Sequence, residues 1–177
     1  MVLCLLAAVI VPDQAAKWWA WRHVPWAVIN PGGDLLSGPT IGAWYAAPVS
    51  GALLDVLDVA LLTTAILLLS RWRTANWVSV PAVLMIGGWS SNVLDRVGLH
   101  YWTAPGSVRG VVDFIHIGGY YYNIADFFII SCTSLFLLAV GYQAVRAAWR
   151  PGQRVERLAV VNVGDRGSIA GRFPGYR

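Results

Sequence analysis

Charged side chains are scarce in this sequence. They make up 12% of its 177 residues, well below the quarter or so that is usual in a soluble domain. Hydrophobic residues make up 57%, and the mean hydropathy is +0.57. Several apolar runs approach or exceed the roughly 20 residues that cross a bilayer. The sequence therefore indicates an integral membrane protein and argues against a soluble globular one.

Sequence motifs for several kinds of chemistry are also missing. The two cysteines, Cys4 and Cys132, lie in apolar runs without metal-ligand spacing, which favours packing residues over a disulfide framework. The three histidines show no HExxH pairing, and there is neither a Gly-x-Ser-x-Gly motif nor a Walker-type phosphate loop. The sequence thus implies no metal site and no organic cofactor.

The basic character of the chain has a local cause. The net charge is +4 and the pI is about 9.4, values that by themselves fit nucleic-acid binding. Seven of the thirteen Lys and Arg residues, however, lie within 146–177, directly after an apolar run. Basic residues beside a membrane span are typical of its cytoplasmic side. We therefore predict no nucleic-acid partner, and we expect 149–177 to be a basic, disordered cytoplasmic tail.

Apolar runs divide the chain into four predicted membrane spans, at about 1–20, 49–69, 77–94 and 121–142. The intervening segments 22–47 and 97–120 are rich in Gly and Pro, which favour turns over helices. The extended pieces 26–29 and 41–46 are predicted to pair as a small sheet at the membrane surface. The predicted fold is all-α: a four-span membrane domain over 1–148 with a small extracytoplasmic β-like cradle and an extracytoplasmic loop.

Basic residues in the short connections predict the orientation of the spans. Arg71 and Arg73 lie between the second and third predicted spans, and further arginines follow the fourth. This distribution places both of those ends, and with four spans both termini, in the cytoplasm. The polar residues of the segment 87–126 then lie at the outer boundary of the membrane.

Polar residues at the end of the third predicted span form one candidate cluster. Asn92, Asp95 and Arg96 fall within about one helical turn, at a place where charge is costly and usually functional. Arg96 is predicted to pair with a carboxylate, because buried charges are usually paired.

The second predicted span carries two acids near its start. Asp55 and Asp58 lie three residues apart and therefore on one face of the helix. We expect them to interact favourably with the helix dipole, and a role in shaping a substrate groove is the alternative.

Two further acids, Asp113 and Asp126, lie in otherwise apolar surroundings. Asp113 belongs to the run 111–115, with Arg109 as the nearest basic residue in sequence, and Asp126 follows Asn123 by one turn. Two carboxylates that meet in a low-dielectric pocket tend to share a proton, so that one can activate water while the other donates to a carbonyl oxygen. From the residues alone, a protease, a transporter and a structural latch between helices are equally supported.

Five motifs, in this order, resemble those of the lipoprotein signal peptidases, the type II signal peptidases of bacteria: Asp13-x-x-x-Lys17; Asn30-Pro31-Gly32; Gly87-Gly88 followed by Asn92-Val93-Leu94-Asp95-Arg96; Val111-Val112-Asp113-Phe114-Ile115; and Asn123-Ile124-Ala125-Asp126. Each motif is short, but five of them in order on a four-span chain form a specific pattern. The resemblance extends over most of the chain.

The resemblance implies a membrane aspartyl endopeptidase with Asp113 and Asp126 as its catalytic dyad. It implies further that seven residues line or support the site: Asp13, Lys17, Asn30, Asn92, Asp95, Arg96 and Asn123. The substrates would be prolipoproteins that carry diacylglycerol on the cysteine of the cleavage site, and the cut would fall just before that cysteine. The expected protein is a monomer of the bacterial cytoplasmic membrane, in contact with lipid, without a cofactor, and with its active site near the outer face.

Three features depart from the family pattern. Trp89 adds bulk directly after Gly88, the residues that follow Gly32 differ, and the segments on either side of Asp113 have unusual lengths. A catalytically inactive paralogue that binds lipidated peptides is therefore the alternative function. A proton-coupled transporter is a third, although the absence of an internal repeat counts against most transporter folds.

Overall fold

The computed structural model describes residues 1–32, 34–71 and 75–149, with the backbone alone for 34–39. The predicted tail therefore lies outside the described residues from position 150 onward. Contacts between Cα atoms group Met1–Leu137 as one compact unit and Leu138–Arg177 as a second. All side chains of the site described below belong to the first unit.

The helices are, in chain order, α1 (Val2–His23), α2 (Asp34–Ala46), α3 (Pro48–Arg71), α4 (Asn76–Leu94), α5 (His100–Thr103) and α6 (Ile124–Ala148). A π-helical segment over Asp95–Leu99, kinked at the non-helical Gly98, joins α4 to α5, and together they form the span Asn76–Thr103. This span, together with α1, α3 and α6, is long and apolar enough to cross a membrane. For the described residues, the prediction of an all-α membrane protein with four spans is confirmed.

The third span is longer than the sequence predicts. Asp95 and Arg96 resemble the end of a span, because unpaired charge is costly in a membrane. Both side chains are instead buried and ion-paired, so the helix continues through them to Thr103 and shortens the irregular segment predicted over 97–120. The π-helix contains Gly98 at a φ of 133°. Such π-helical insertions are frequent at functional sites.

The segment before the second span also differs from the prediction. Residues 41–46 are predicted to be extended and to pair with 26–29, but they form the second half of α2. The strand that does form in this segment, β1 (Val28–Asn30), pairs with a distant partner. Turn-forming residues are a weak guide here because tertiary contacts override local propensity. Tyr45 near the end of α2 makes such a contact, as described below.

The three strands that follow the third span belong to two small antiparallel sheets. β2 (Val111–Asp113) pairs with β1 in a register that sets Asp113 opposite Val28. β3 (Ile115–Ile117) pairs with β4 (Tyr120–Tyr122), and both loop residues between them are glycines with positive φ, as a two-residue hairpin of type I′ requires. Because β4 occupies Tyr120–Tyr122, the fourth span begins at Ile124 rather than at the predicted position 121.

Two adjacent glycines bring three helices close to one another. A Cβ atom at Gly87 would lie 3.0 Å from Cβ of Val9 on α1, and one at Gly88 would lie 2.6 Å from the carbonyl oxygen of Ala125 on α6. Small residues at helix interfaces permit such close backbone approach. The Gly-Gly pair therefore sets both α1 and the start of α6 against α4, next to the site.

Candidate active site

A cavity of about 630 Å³ lies between the two small sheets, α2, α4 and α6. Its volume falls within the range of roughly 300–1,000 Å³ typical of ligand sites. Apolar and aromatic side chains form much of its wall, among them Trp89, Ile129, Ile130 and the tyrosines of β4. The side chains of Asp113 and Asp126, here called the carboxylate pair, both face this cavity.

Asp113 stands at the end of β2 and is 1% exposed. One carboxylate oxygen accepts a hydrogen bond from Nδ2 of Asn30 at 2.9 Å, and the other accepts one from Nδ2 of Asn123 at 2.6 Å. The pairing of β1 with β2 brings Asn30 to this place across 83 residues of sequence. Among the residues that the structure describes, the carboxyl group of Asp113 is therefore hydrogen-bonded by two amides and not by a cation.

Asp126 is held by the start of α6. Its backbone N–H donates to Oδ1 of Asn123 at 3.1 Å, and its carboxylate accepts from the backbone N–H of Asn123 at 2.9 Å. This reciprocal arrangement is a capping box, which satisfies the free N–H groups of a helix N-terminus. The second carboxylate oxygen accepts from Nδ2 of Asn92 at 2.9 Å. Because Asn123 is bonded to both acids, it joins the carboxylate pair directly.

Burial raises the pKa of the Asp113 carboxyl to about 7. The negative charge of Asp126 raises this pKa further, while the amides of Asn30 and Asn123 and the charge of Lys17 lower it. Within the described part of the chain, no Lys or Arg forms an ion pair with either member of the carboxylate pair. The environment therefore favours a proton on the carboxylate pair near neutral pH.

Lys17 lies at the centre of a second group, here called the lysine cluster, with Asp13 and Asp95. The Nζ atom forms ion pairs with Asp13 at 2.6 Å and with Asp95 at 2.8 Å, and it donates a hydrogen bond to Oδ1 of Asn92 at 2.8 Å. The side chains of all three members are completely buried.

The lysine cluster supports the elements that carry the carboxylate pair. Asp13 accepts hydrogen bonds from the backbone N–H of Ala125 at 2.8 Å and from the hydroxyl of Ser91 at 2.7 Å. Asp95 accepts one from the hydroxyl of Thr103 at 3.1 Å. The cluster thus joins α1, the third span and the start of α6 behind the cavity.

Arg96 pairs with acids of α3 rather than with its neighbour Asp95. Its Nε donates to Asp55 at 2.9 Å and its Nη2 donates to Asp58 at 2.6 Å. These acids lie beyond the first turn of α3, so the expected interaction with the helix dipole is wrong. Arg109, the nearest basic residue to Asp113 in sequence, also binds Asp55.

All nine predicted site residues lie in one place. Asn30, Asn92, Arg96, Asn123 and the carboxylate pair line the cavity, and the lysine cluster is bonded to Asn92. Three contributors were missed by the sequence analysis, namely Tyr45 and Arg109, which bind the α3 acids, and Ser91, which binds Asp13. A count of charges could have indicated Arg109. Two acids in an apolar helix need positively charged partners from elsewhere in the chain, and Arg96 and Arg109 had no specific acid predicted as a partner.

Among the described residues, no group of three or more His, Cys, Asp or Glu side chains is placed to hold a metal ion. A family model described as Signal peptidase (SPase) II matches residues 5–142, a range that includes every residue of the site. A comparison with curated proteins finds no match.

Proposed function

The chain belongs to the signal peptidase II family of membrane proteases, and from this premise we propose that it is an aspartic endopeptidase that processes lipoproteins. Its substrates are prolipoproteins whose cleavage-site cysteine carries diacylglycerol, and the bond cut is the one before that cysteine. Asp113 and Asp126 are the catalytic residues in this proposal. A monomer suffices, because all nine site residues come from one chain.

The observation that carries this proposal is the contact of both acids with Asn123. Its side chain donates to Asp113 and its backbone N–H donates to Asp126, so both carboxyl groups lie beside the same residue on the cavity wall. Amides can orient carboxylates without neutralising them, whereas a bound Lys or Arg would hold them ionised. The arrangement suits a pair that must exchange a proton during each turnover.

The chemistry needs one proton on the carboxylate pair. The ionised member removes a proton from water, and the hydroxide formed adds to the scissile carbonyl carbon. The protonated member donates to the carbonyl oxygen, which gives a neutral tetrahedral diol. When the C–N bond breaks, the leaving nitrogen takes a proton and a carboxylic acid remains. The two carboxyl groups titrate as a coupled pair, and the pKa of Asp113 within it is raised to about 7.

The walls of the cavity fit a lipidated peptide. Trp89, Ile129 and Ile130 project from membrane helices and offer apolar surface to acyl chains or to the signal-peptide helix. Asn30 and Asn92 offer polar groups near the scissile bond while they hold the acids. A substrate that carries both a lipid and a peptide bond therefore meets an apolar and a polar wall in one cavity.

The test is cleavage of a diacylglyceryl-modified prolipoprotein by the purified protein in lipid nanodiscs. An unlipidated copy of the substrate, the variant Asp113→Asn and the control Tyr101→Phe complete the experiment. Tyr101 is 72% exposed and lies outside the cavity. Its variant therefore controls for activity lost during purification and reconstitution. We expect cleavage only with the lipidated substrate, and only by the wild type and the control. Binding of the lipidated peptide without cleavage would overturn the peptidase proposal in favour of an inactive binder.

We place the active site near the outer face of a bacterial cytoplasmic membrane. Arg71 ends α3 and Arg146 lies in the last turn of α6, and basic residues at span ends favour the cytoplasmic side. The loop between α5 and β2 then lies outside. A cysteine introduced at the exposed Val108 of this loop should react with a membrane-impermeant thiol reagent in intact spheroplasts. Reaction only after lysis would reverse the orientation.

A further inference from the structure

The acids Asp55 and Asp58, here called the α3 acid pair, have no part in the mechanism above. They are only 5% and 7% exposed, in a helix whose surface is otherwise largely apolar. Burying two carboxylates is costly unless each is paired and hydrogen-bonded. Arg96 and Arg109 supply the two positive charges, so the group is neutral as a whole. The question is what this buried group does for the nearby site.

Tyr45 connects the α3 acid pair to the cavity wall. Its hydroxyl donates to Oδ2 of Asp58 at 2.9 Å, and its ring lies 5.0 Å from the guanidinium carbon of Arg96. Burial, followed by the hydrogen bond to Asp58, raises the pKa of Tyr45 to about 12. The tyrosine therefore keeps its proton, and its donated bond to Asp58 persists across the physiological pH range.

The ring of Tyr45 packs against Gly32. A Cβ atom at Gly32 would lie 3.2 Å from Cγ of Tyr45, and the φ of +128° at this residue strongly favours glycine. The backbone N–H of Gly32 donates to Oδ1 of Asn30 at 2.8 Å. With its oxygen held in this way, the Asn30 amide directs its nitrogen to Asp113 at 2.9 Å.

Arg109 binds the backbone of Tyr45. Its Nη1 donates to the carbonyl oxygen of Tyr45 at 2.7 Å, its Nη2 donates to that of Gly51 at 3.0 Å, and its other contacts are to Asp55. A Cβ atom at Gly51 would lie 2.7 Å from Nη1 of Arg109, so the glycine permits this approach. The end of α2 is thereby fixed to α3 and to the segment before β2.

We propose that the α3 acid pair consists of positioning residues for the peptidase reaction. The pair fixes Tyr45, Tyr45 fixes the turn at Gly32, and this turn aims the amide of Asn30 at Asp113. The inference rests on the proposed function for its catalytic consequence, but the path of contacts exists without it. Neither acid touches the cavity, so the effect passes entirely through other side chains.

The expected signature is a change in the titration of Asp113. The charged and polar groups that face Asp113 are Asn30 from β1, Asn123, Asp126 from α6 and Lys17 from α1. Of these, only Asn30 lies on the path from the α3 acid pair. When Asn30 is less well held, its hydrogen bond to the carboxylate weakens, and the ionised form of Asp113 loses stabilisation.

Two variants test the path at different strengths. Tyr45→Phe removes the hydroxyl bond to Asp58 but keeps the ring against Gly32, and Asp58→Asn removes the charge that Arg96 pairs with. We expect kcat to fall about tenfold for Asp58→Asn and less for Tyr45→Phe, with a smaller change in KM. We also expect the pH profile of cleavage to move upward by about 0.5 pH units. Tyr101→Phe should change neither quantity.

A separate readout keeps the inference independent of cleavage. The infrared band of the protonated Asp113 carboxyl, isolated by subtracting the spectrum of Asp113→Asn, can be followed through a pH titration in each variant. Should the wild type fail to cleave any substrate, the proposed function falls, and this titration still tests the path. A purely structural role would lower thermal stability in both variants while kcat per folded molecule, pH profile and infrared titration stayed as in the wild type. That result would overturn the inference.

Discussion

The lysine cluster and the carboxylate pair each contain two aspartates, and Asn92 lies between the two groups. The lysine cluster is completely buried, whereas in the carboxylate pair Asp113 is buried and Asp126 is partly exposed. Asp13 and Asp95 are both paired with the ammonium group of Lys17. Asp113 and Asp126 instead accept hydrogen bonds from the amide groups of asparagines. Asn92 marks the border, because its oxygen accepts from Lys17 and its nitrogen donates to Asp126. Neighbouring acids of the same type are thus given different chemistry by the donors around them. One group holds helices together, and the other is left able to bind a proton.

This contrast predicts that the same substitution, Asp to Asn, has opposite consequences in the two groups. In the carboxylate pair it should remove activity and leave the fold intact. In the lysine cluster the same substitution should mainly lower the stability of the fold, and its effect on activity should be the smaller one.

The largest effect is expected for Asp126→Asn. Cleavage should fall by about 10³-fold or more, because the pair can no longer hold one ionised and one protonated carboxyl group. Asparagine has nearly the same volume, and its one carbonyl oxygen can keep the bond from Asn92 or the bond from the backbone N–H of Asn123, so the fold should be retained with only a small loss of thermal stability. Single-turnover cleavage and thermal unfolding, carried out on one preparation, measure the activity and the stability of the variant. Cleavage close to the wild-type rate would remove Asp126 from the mechanism.

The next largest effect is expected for Lys17→Met. Two buried carboxylates would lose their cation, which costs about 3–5 kcal/mol of unfolding free energy. Denaturant unfolding in mild detergent measures this loss. Adding Asp13→Asn and Asp95→Asn to the variant should recover part of it, since no uncompensated charge remains. If Lys17→Met alone were as stable as the wild type, the lysine cluster would not stabilise the packing of the helices.

A smaller loss is expected for Asp95→Asn. Lys17 keeps Asp13 and Asn92, and an asparagine can still accept from Thr103, so about 1–3 kcal/mol of stability should be lost. The decrease in activity per folded molecule should be smaller for Asp95→Asn than for Asp126→Asn. Parallel unfolding and cleavage assays of the two variants give the comparison. The reverse order, with Asp95→Asn the less active and the more stable, would contradict it.

The smallest perturbation is a change of pH. The pKa of about 7 at Asp113 means that the proton on the carboxylate pair is present below this pH and is lost above it. Cleavage should therefore decline as the pH rises through about 7. Initial rates at saturating substrate, corrected for the folded fraction at each pH, measure the inflection. A rate that stays constant through the neutral range would show that no shared proton is required.

The sequence predicts the spans and the acids well because these signals are local. Apolar runs fix the four helices, and Asn123 and Asp126 are close enough in sequence to form a helix cap without help from the rest of the chain. The cap explains in physical terms why these two residue types stand three positions apart.

The partners of the charged residues could not be predicted in the same way. Which face of a helix meets which neighbour depends on rotations and registers that no single segment encodes. Arg96 follows Asp95 directly, yet the two side chains point to α3 and α1 respectively. The pairing of Asn30 with Asp113 needs two strands that lie far apart in sequence. Helix α2 was missed because the contacts of Tyr45 override turn-forming residues.

The cap at the start of α6 has a consequence for biosynthesis. Asn123 begins the last of the four described spans, binds Asp113 with its side chain and holds Asp126 in the first helical turn. A nascent chain that has inserted only three spans already contains Asp113, but it lacks both Asn123 and the second acid. Completion of the last helix and assembly of the carboxylate pair are therefore one event. Under the proposed mechanism, an unfinished chain therefore lacks the complete carboxylate pair and should not cleave a substrate.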